Sequence, residues 1–258
     1  MYTTEQSEKF SREHEEIAAD LQALMFEGMS QSQSIDIEGC RRHLLHGAGR
    51  RMGVLKKSLE HIFTLFPPSQ QIPLQRDVLT EVQIFLHAFV INVAGIFDNW
   101  AWAFLYRHGL AAKIGNPRNV GLFKKETRRY LPETLRTYLE SAEISSWHQE
   151  YAKEYRDALA HRIPLYIPPA TWTKEDAERY QQLESEKVAC IRTHEWERLE
   201  EVWNEQDKVG KPCLVFLHDI SPEAPSRPVF LHPQVLCDAL TVVDFGKKFY
   251  GSWHERSP

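Results

Sequence analysis

The sequence predicts an all-α antiparallel helical bundle, one domain over residues 1–258, with a small β-hairpin inserted before its last helix. Three observations lead there. Apolar residues recur at intervals of three and four over long stretches, the pattern of helices with one buried face. The breaks between those stretches carry Gly, Pro and Ser clusters. Only two short runs, residues 213–217 and 228–231, read as strands, and a Pro-rich loop over 221–228 separates them as in a hairpin. A chain this long can bury a substantial core, and one with 26% charged residues has the balance of an ordinary globular protein.

The elements follow in order. Residues 4–26 form a first helix with Phe10, Ile17, Leu21, Leu24 and Met25 near one face. Residues 28–36 are Ser- and Gln-rich and read as a loop. A second helix spans 38–66 and carries Arg41, Arg42, Arg50, Arg51, Lys56 and Lys57 with no acid between Glu38 and Glu60. That run is either a solvated face or a stripe that tracks phosphates. Gly47, Gly49 and Gly53 weaken or bend it, and Pro67-Pro68 ends it.

The third helix, 74–108, is the long one, roughly 50 Å at 1.5 Å per residue. Its stretch 84–105 has the length of a bilayer span, but His87, Asn92, Asp98 and Asn99 interrupt it. It therefore reads as the central helix of a bundle, with no membrane association. A short helix over 132–140 follows a Gly-Asn-Pro turn at 115–117. Lys124, Lys125, Arg128 and Arg129 make a second basic cluster just before it.

Ser145 or Ser146 caps the next helix, which stops near Arg162 because Pro164 follows. Residues 164–169 are extended. Thr173 caps a charged, mostly acidic region that runs to Asp207 as a long or paired helix without a visible turn. The last helix covers 233–250. The segment 170–232 is an elaboration on the bundle.

The chemistry gathers at Tyr155-Arg156-Asp157-Ala158-Leu159-Ala160-His161-Arg162. An Arg that keeps its charge and an imidazole that titrates near neutrality share about two turns of helix. The same Arg-x4-His spacing occurs at Arg41/His46 and at Arg227/His232. Pro228 follows Arg227, and Gly residues interrupt the stretch after Arg41. Only Arg156 has a polar neighbour, Asp157, an Ala-rich turn and a clean helix stop.

This stretch resembles the signature of the HEPN superfamily, whose members are helical bundles and often metal-independent endoribonucleases. The resemblance implies Arg156, His161 and Asp157 as catalytic residues, with Asp98 or Asn99 as an accessory polar group from another helix. It implies an RNA substrate, no metal and no cofactor. It also implies a homodimer whose composite cleft pairs two motif helices, and for a toxin an antitoxin partner. Arg41, Arg42, Arg50, Arg51, Lys124 and Lys125 are the candidate RNA-binding cations. Cleavage without metal requires a base for the 2′-hydroxyl, an acid for the 5′-oxygen and positive charge at the phosphorane. One His is too few for both proton transfers, which is why two copies are expected. The small Ala158 and Ala160 would let the second copy approach.

A net charge of −5 argues against indiscriminate nucleic-acid binding and leaves room for a local basic cleft. Cys40, Cys190, Cys213 and Cys237 are widely spaced and read as reduced thiols rather than a zinc site. With its polar, acidic N-terminus the chain is expected in the cytoplasm. Two other readings stay open. One is a catalytically silent module that binds RNA or nucleotide. The other is an interaction protein in which Arg156 and His161 belong to a fold-stabilising network.

Overall fold

The computed structural model describes residues 1–219 and 226–255, and it is mostly helical with two small antiparallel two-stranded sheets. Helix α1 (Thr4–Gln33) opens on a capping box: the Gln6 amide donates to Thr3 Oγ1, and the Thr3 amide donates to Gln6 Oε1. It runs seven residues past its expected end. Its buried stripe continues from Ile17, Leu21 and Leu24 through Gly28 and Ser32. Small residues occupy those last positions because α1 packs tightly on the last helix, and small residues were what suggested a loop.

The second expected helix is present as α2 (Glu38–Arg42) and α3 (Arg50–Leu65), joined by a π-helical stretch, His43–Gly49. The glycine-rich part thus widens the helix without breaking it. Gly47 allows a close approach within it. A Cβ there would stand 1.8 Å from Asn99 Oδ1 on α4 (Arg76–Arg107), so the two helices meet only where side-chain atoms are missing.

Helix α4 lies at the centre of the bundle, packed on α3 and on the last helix. Leu86, Phe89, Val93, Ile96, Trp100 and Phe104 are buried on it. It is long and apolar enough to cross a bilayer, but its buried stripe faces protein. Trp100 is fully buried, with the rings of Phe245 and Phe249 at 5.4 and 5.6 Å. Burial of side chains of this size contributes roughly 1.5–3 kcal/mol each.

Short helices α5 (Lys125–Arg128), α6 (Glu133–Glu140) and α7 (Ala142–Trp147) follow. A second π-helical stretch, His148–Ala152, joins α7 to α8 (Lys153–His161). The cap of this composite helix is Ser141, four residues earlier than the expected Ser145; its hydroxyl accepts from the Ile144 amide. The stop is where the proline predicts it: Arg162 is already extended, with φ −128° and ψ −158°.

Strand β1 (Ala170–Thr171) pairs with β2 (Lys211–Pro212) and closes the base of an arm. This sheet was not expected. The arm is a helical hairpin, α9 (Lys174–Thr193) and α10 (Trp196–Gln206). Its turn escaped notice because His194, not a glycine, takes the left-handed conformation with φ 59°. Leu183, Cys190, Leu199 and Val202 give the arm a small core of its own. Between Lys174 and Asp207 stand eleven carboxylates and five cations, so the arm alone accounts for the net negative charge of the chain.

The expected hairpin is β3 (Val215–His218) with β4 (Arg227–Phe230), Val215 opposite Phe230 and His218 opposite Arg227. Most of its Pro-rich loop lies outside the described residues. Tyr166 adds a bridge to Leu217, which ties the extended 164–169 segment to this sheet. Helix α11 (Leu231–Gly251) returns to the bundle and packs along α1.

Candidate functional site: a cationic cleft

The composite helix α7–α8 lies against α4, and the 117–124 connection covers the junction. Between them opens a cleft of about 560 Å³. Five cations line it: Arg51 from α3, Arg118 and Lys124 from the connection, Lys153 and Arg156 from α8. Asp98 of α4 is its only lining carboxylate, and His148 its only lining imidazole. Trp102, Phe123 and Trp147 add aromatic walls. A concave site of one sign focuses its field far beyond what the net charge of the protein suggests.

Two of these cations are placed by identifiable contacts. Arg51 lies across α4, donating from Nη1 to Asn92 Oδ1 at 3.2 Å. Gly95 makes room for it: a Cβ there would be 2.4 Å from the Arg51 guanidinium carbon. Arg156 pairs with Asp157 at 2.8 Å and remains half-exposed toward the cleft. Asp98 sits recessed among Arg156, Arg51 and Lys124 but keeps its opening to solvent. Its surroundings of protein raise the carboxyl above its ordinary pKa, and those three cations oppose the rise.

His148 stacks on Phe123, ring centroids 3.6 Å apart and planes within 9°. Burial, then the charges of Lys153, Arg156, Lys124 and Arg128, push its imidazole down to about 4. It is therefore neutral at physiological pH, with its ring plane set by the stack, in a cleft lined by five cations.

Of the residues singled out in the sequence, Arg156, Asp98, Arg51 and Lys124 converge on this cleft, with Asp157 bonded to Arg156. His161 does not line it; it stands in the exposed last turn of α8. Asn99 looks elsewhere, donating to the Gly95 carbonyl and contacting His43 and Gly47 in the π-helical stretch. Arg41, Arg42, Arg50 and Lys125 are exposed outside the cleft. Ala158 is fully buried in the core, so it serves the bundle and offers no surface to a second copy. Of the two chance Arg-x4-His pairs, Arg227/His232 is structural: His232 is buried and donates from Nε2 to the Phe66 carbonyl at 2.6 Å.

Comparison of the chain with protein-family models, with curated proteins and with solved structures found no match. The cleft must therefore be read from its own chemistry. Among the described residues, no three His, Cys, Asp or Glu side chains stand together in a metal-holding group. What the cleft presents is permanent positive charge, π surface and one neutral imidazole. That set suits an anion attached to a planar ring system. The residues that sequence reasoning missed are Arg118, Lys153 and His148. They are unremarkable in the linear chain, and only the packing of α8 and the connection onto α4 brings them together.

Proposed function

We propose that the cleft binds an RNA phosphodiester and that the protein is a metal-independent endoribonuclease of HEPN type. The observation that carries this reading is the convergence of four other cations on Arg156, in a cleft with aromatic walls, in a chain of net charge −5. Arg156 supplies a planar fork for the phosphate, held in place by Asp157 and faced by Asp98. Trp102, which is half-buried at the cleft wall, offers a face for an unstacked base, as single-stranded RNA requires. In the reaction the 2′-oxygen attacks phosphorus and its proton passes to a base. The P–O5′ bond then breaks as the 5′-oxygen takes up a proton. The products are a 2′,3′-cyclic phosphate and a 5′-hydroxyl.

A dimer enters this proposal through the outward strip of α8. Lys153, Arg156 and Ala160 are exposed along it, Ile163 follows just beyond, and Ile84 and Ile91 are exposed on neighbouring α4. A second copy on that face would bring its His161 toward the cleft. Light scattering at micromolar concentration should give twice the mass of the chain.

Incubation with single-stranded RNA in EDTA tests the activity. We expect cyclic-phosphate ends, and a loss of about 10²–10⁴-fold on His161→Ala. Arg156→Ala should cost comparably, through lost stabilisation of the phosphorane. Cleavage that depends on a divalent ion, 3′-hydroxyl ends, or full activity in folded Arg156→Ala would overturn the proposal. The position of His161 outside the cleft favours one second reading, a module that holds RNA without cutting it. RNA bound through Arg156 but left intact would establish that reading instead.

A further inference from the structure

The cleavage chemistry needs two proton-transfer groups, and the sequence offered only His161 in the motif. The structure holds another imidazole closer to the candidate phosphate position. We infer that His148, seated beside Arg156, Lys153 and Lys124, contacts the oxyanion held in the cleft, so that the anion and a proton on His148 are taken up together. This rests on the reading of the cleft as a phosphate site, and adds to it a named proton carrier within a single copy of the chain.

The geometry supports the assignment in three ways. His148 lines the same cleft as the cations, whereas His161 does not. The parallel stack on Phe123 fixes the plane of the ring, so it cannot swing out of the site without losing that contact. The groups that face it are nearly all of one sign. Lys153 and Arg156 come from its own helix, Lys124 and Arg128 from the α5 segment, and Arg51 and Arg118 also line the cleft; Asp98 on α4 is the lone lining acid. Burial first, and such a field second, hold the imidazole neutral while the cleft is empty. An anion among those cations cancels part of the field, and the ring can then take a proton from water. In the proposed reaction a neutral His148 would accept the 2′-hydroxyl proton, and a protonated one would donate to the 5′-oxygen.

Sulfate is the probe, because it stays dianionic across the range tested. Calorimetric titrations at pH 7 and pH 5 should show about tenfold tighter binding at pH 5 if the anion returns His148 toward its ordinary pKa. In His148→Gln the gradient should flatten. In Arg156→Ala binding should weaken at both pH values. Imidazole NMR on the wild-type protein gives a reading that needs no variant: sulfate should move the titration of His148 upward. If sulfate binds through Arg156 while the His148 resonance stays still, or if His148→Gln keeps the gradient, the inference about His148 is wrong and the phosphate cleft stands. If sulfate does not bind, or binds equally well to Arg156→Ala, the cleft reading itself fails and takes the inference with it.

Discussion

Asp238 gives the sharpest test of how the bundle holds the cleft. It lies on α11, is buried, and accepts from Trp147 Nε1 at 2.7 Å and from Gln234 Nε2 at 2.8 Å. Trp147 walls the cleft and directly precedes His148, so this carboxyl anchors the helix that carries the site. Burial raises its pKa from 3.8 to about 7, against the pull of its two donors. The sign follows from proton counting. Between those two values the folded state holds a proton that the unfolded state has released, so stability falls as pH rises from about 4 to 7. A rise of about three pH units corresponds to about 4 kcal/mol at most. Relaxation around the buried charge lowers the measurable effect to roughly 2 kcal/mol. Asp238→Asn keeps an oxygen acceptor and removes the charge. Its stability relative to wild type, from urea unfolding at intervals between pH 4.5 and 8, should therefore grow steadily with pH. Other groups titrate in both proteins and cancel in the difference. Asp238→Ala leaves the Trp147 N–H unpaired and should be destabilised throughout. A constant Asn-minus-wild-type difference across that range would refute the argument.

Four further outcomes follow from the same geometry. Gly47→Ala forces a Cβ into Asn99, whose amide is already committed to the Gly95 carbonyl, and should cost about 1–3 kcal/mol, read as a lower melting temperature. Gly95→Ala meets only the flexible end of Arg51, so melting should hardly change while RNA affinity falls and its salt slope drops by about one. Lys124→Ala should weaken RNA binding more than Lys125→Ala, although the two are neighbours, because only Lys124 lines the cleft; equal losses in filter binding would count against the site. His232 is buried with its pKa down at about 4, so the folded state binds fewer protons than the unfolded one below the ordinary value of 6.5. Its contribution is complete above 6.5 and is lost as pH falls toward 4, and His232→Asn should flatten that acid limb by on the order of 3 kcal/mol.

The sequence displayed the helices more plainly than the site, and the reason is physical. Long apolar stripes such as that of α4 repeat every three to four residues, and proline enforces the stop at Arg162; both are local signals. Small residues carry less information, so Gly28 and the serines after it read as a loop although α1 continues to Gln33, and a histidine at the left-handed position gives no turn signal between α9 and α10. The candidate site depends on phase, and there periodic reasoning fails at one place. In an ideal helix His148 and Arg156, eight residues apart, point about 80° away from each other. The π-helical stretch between them fits an extra residue into its turn, a shift of about 100° that brings them to within about 20°. In the basic run, Arg51 reaches the cleft while Arg41, Arg42 and Arg50 face solvent; Arg50, its direct neighbour, points about 100° away around α3. Asp98 shows the converse. It interrupts an apolar stretch, and it sits on the open side of α4, where cations from three other segments converge on it. The helix that carries the motif lines the cleft through Arg156 and not through His161, and the packing of α8 on α4 determines which of its side chains share that cleft.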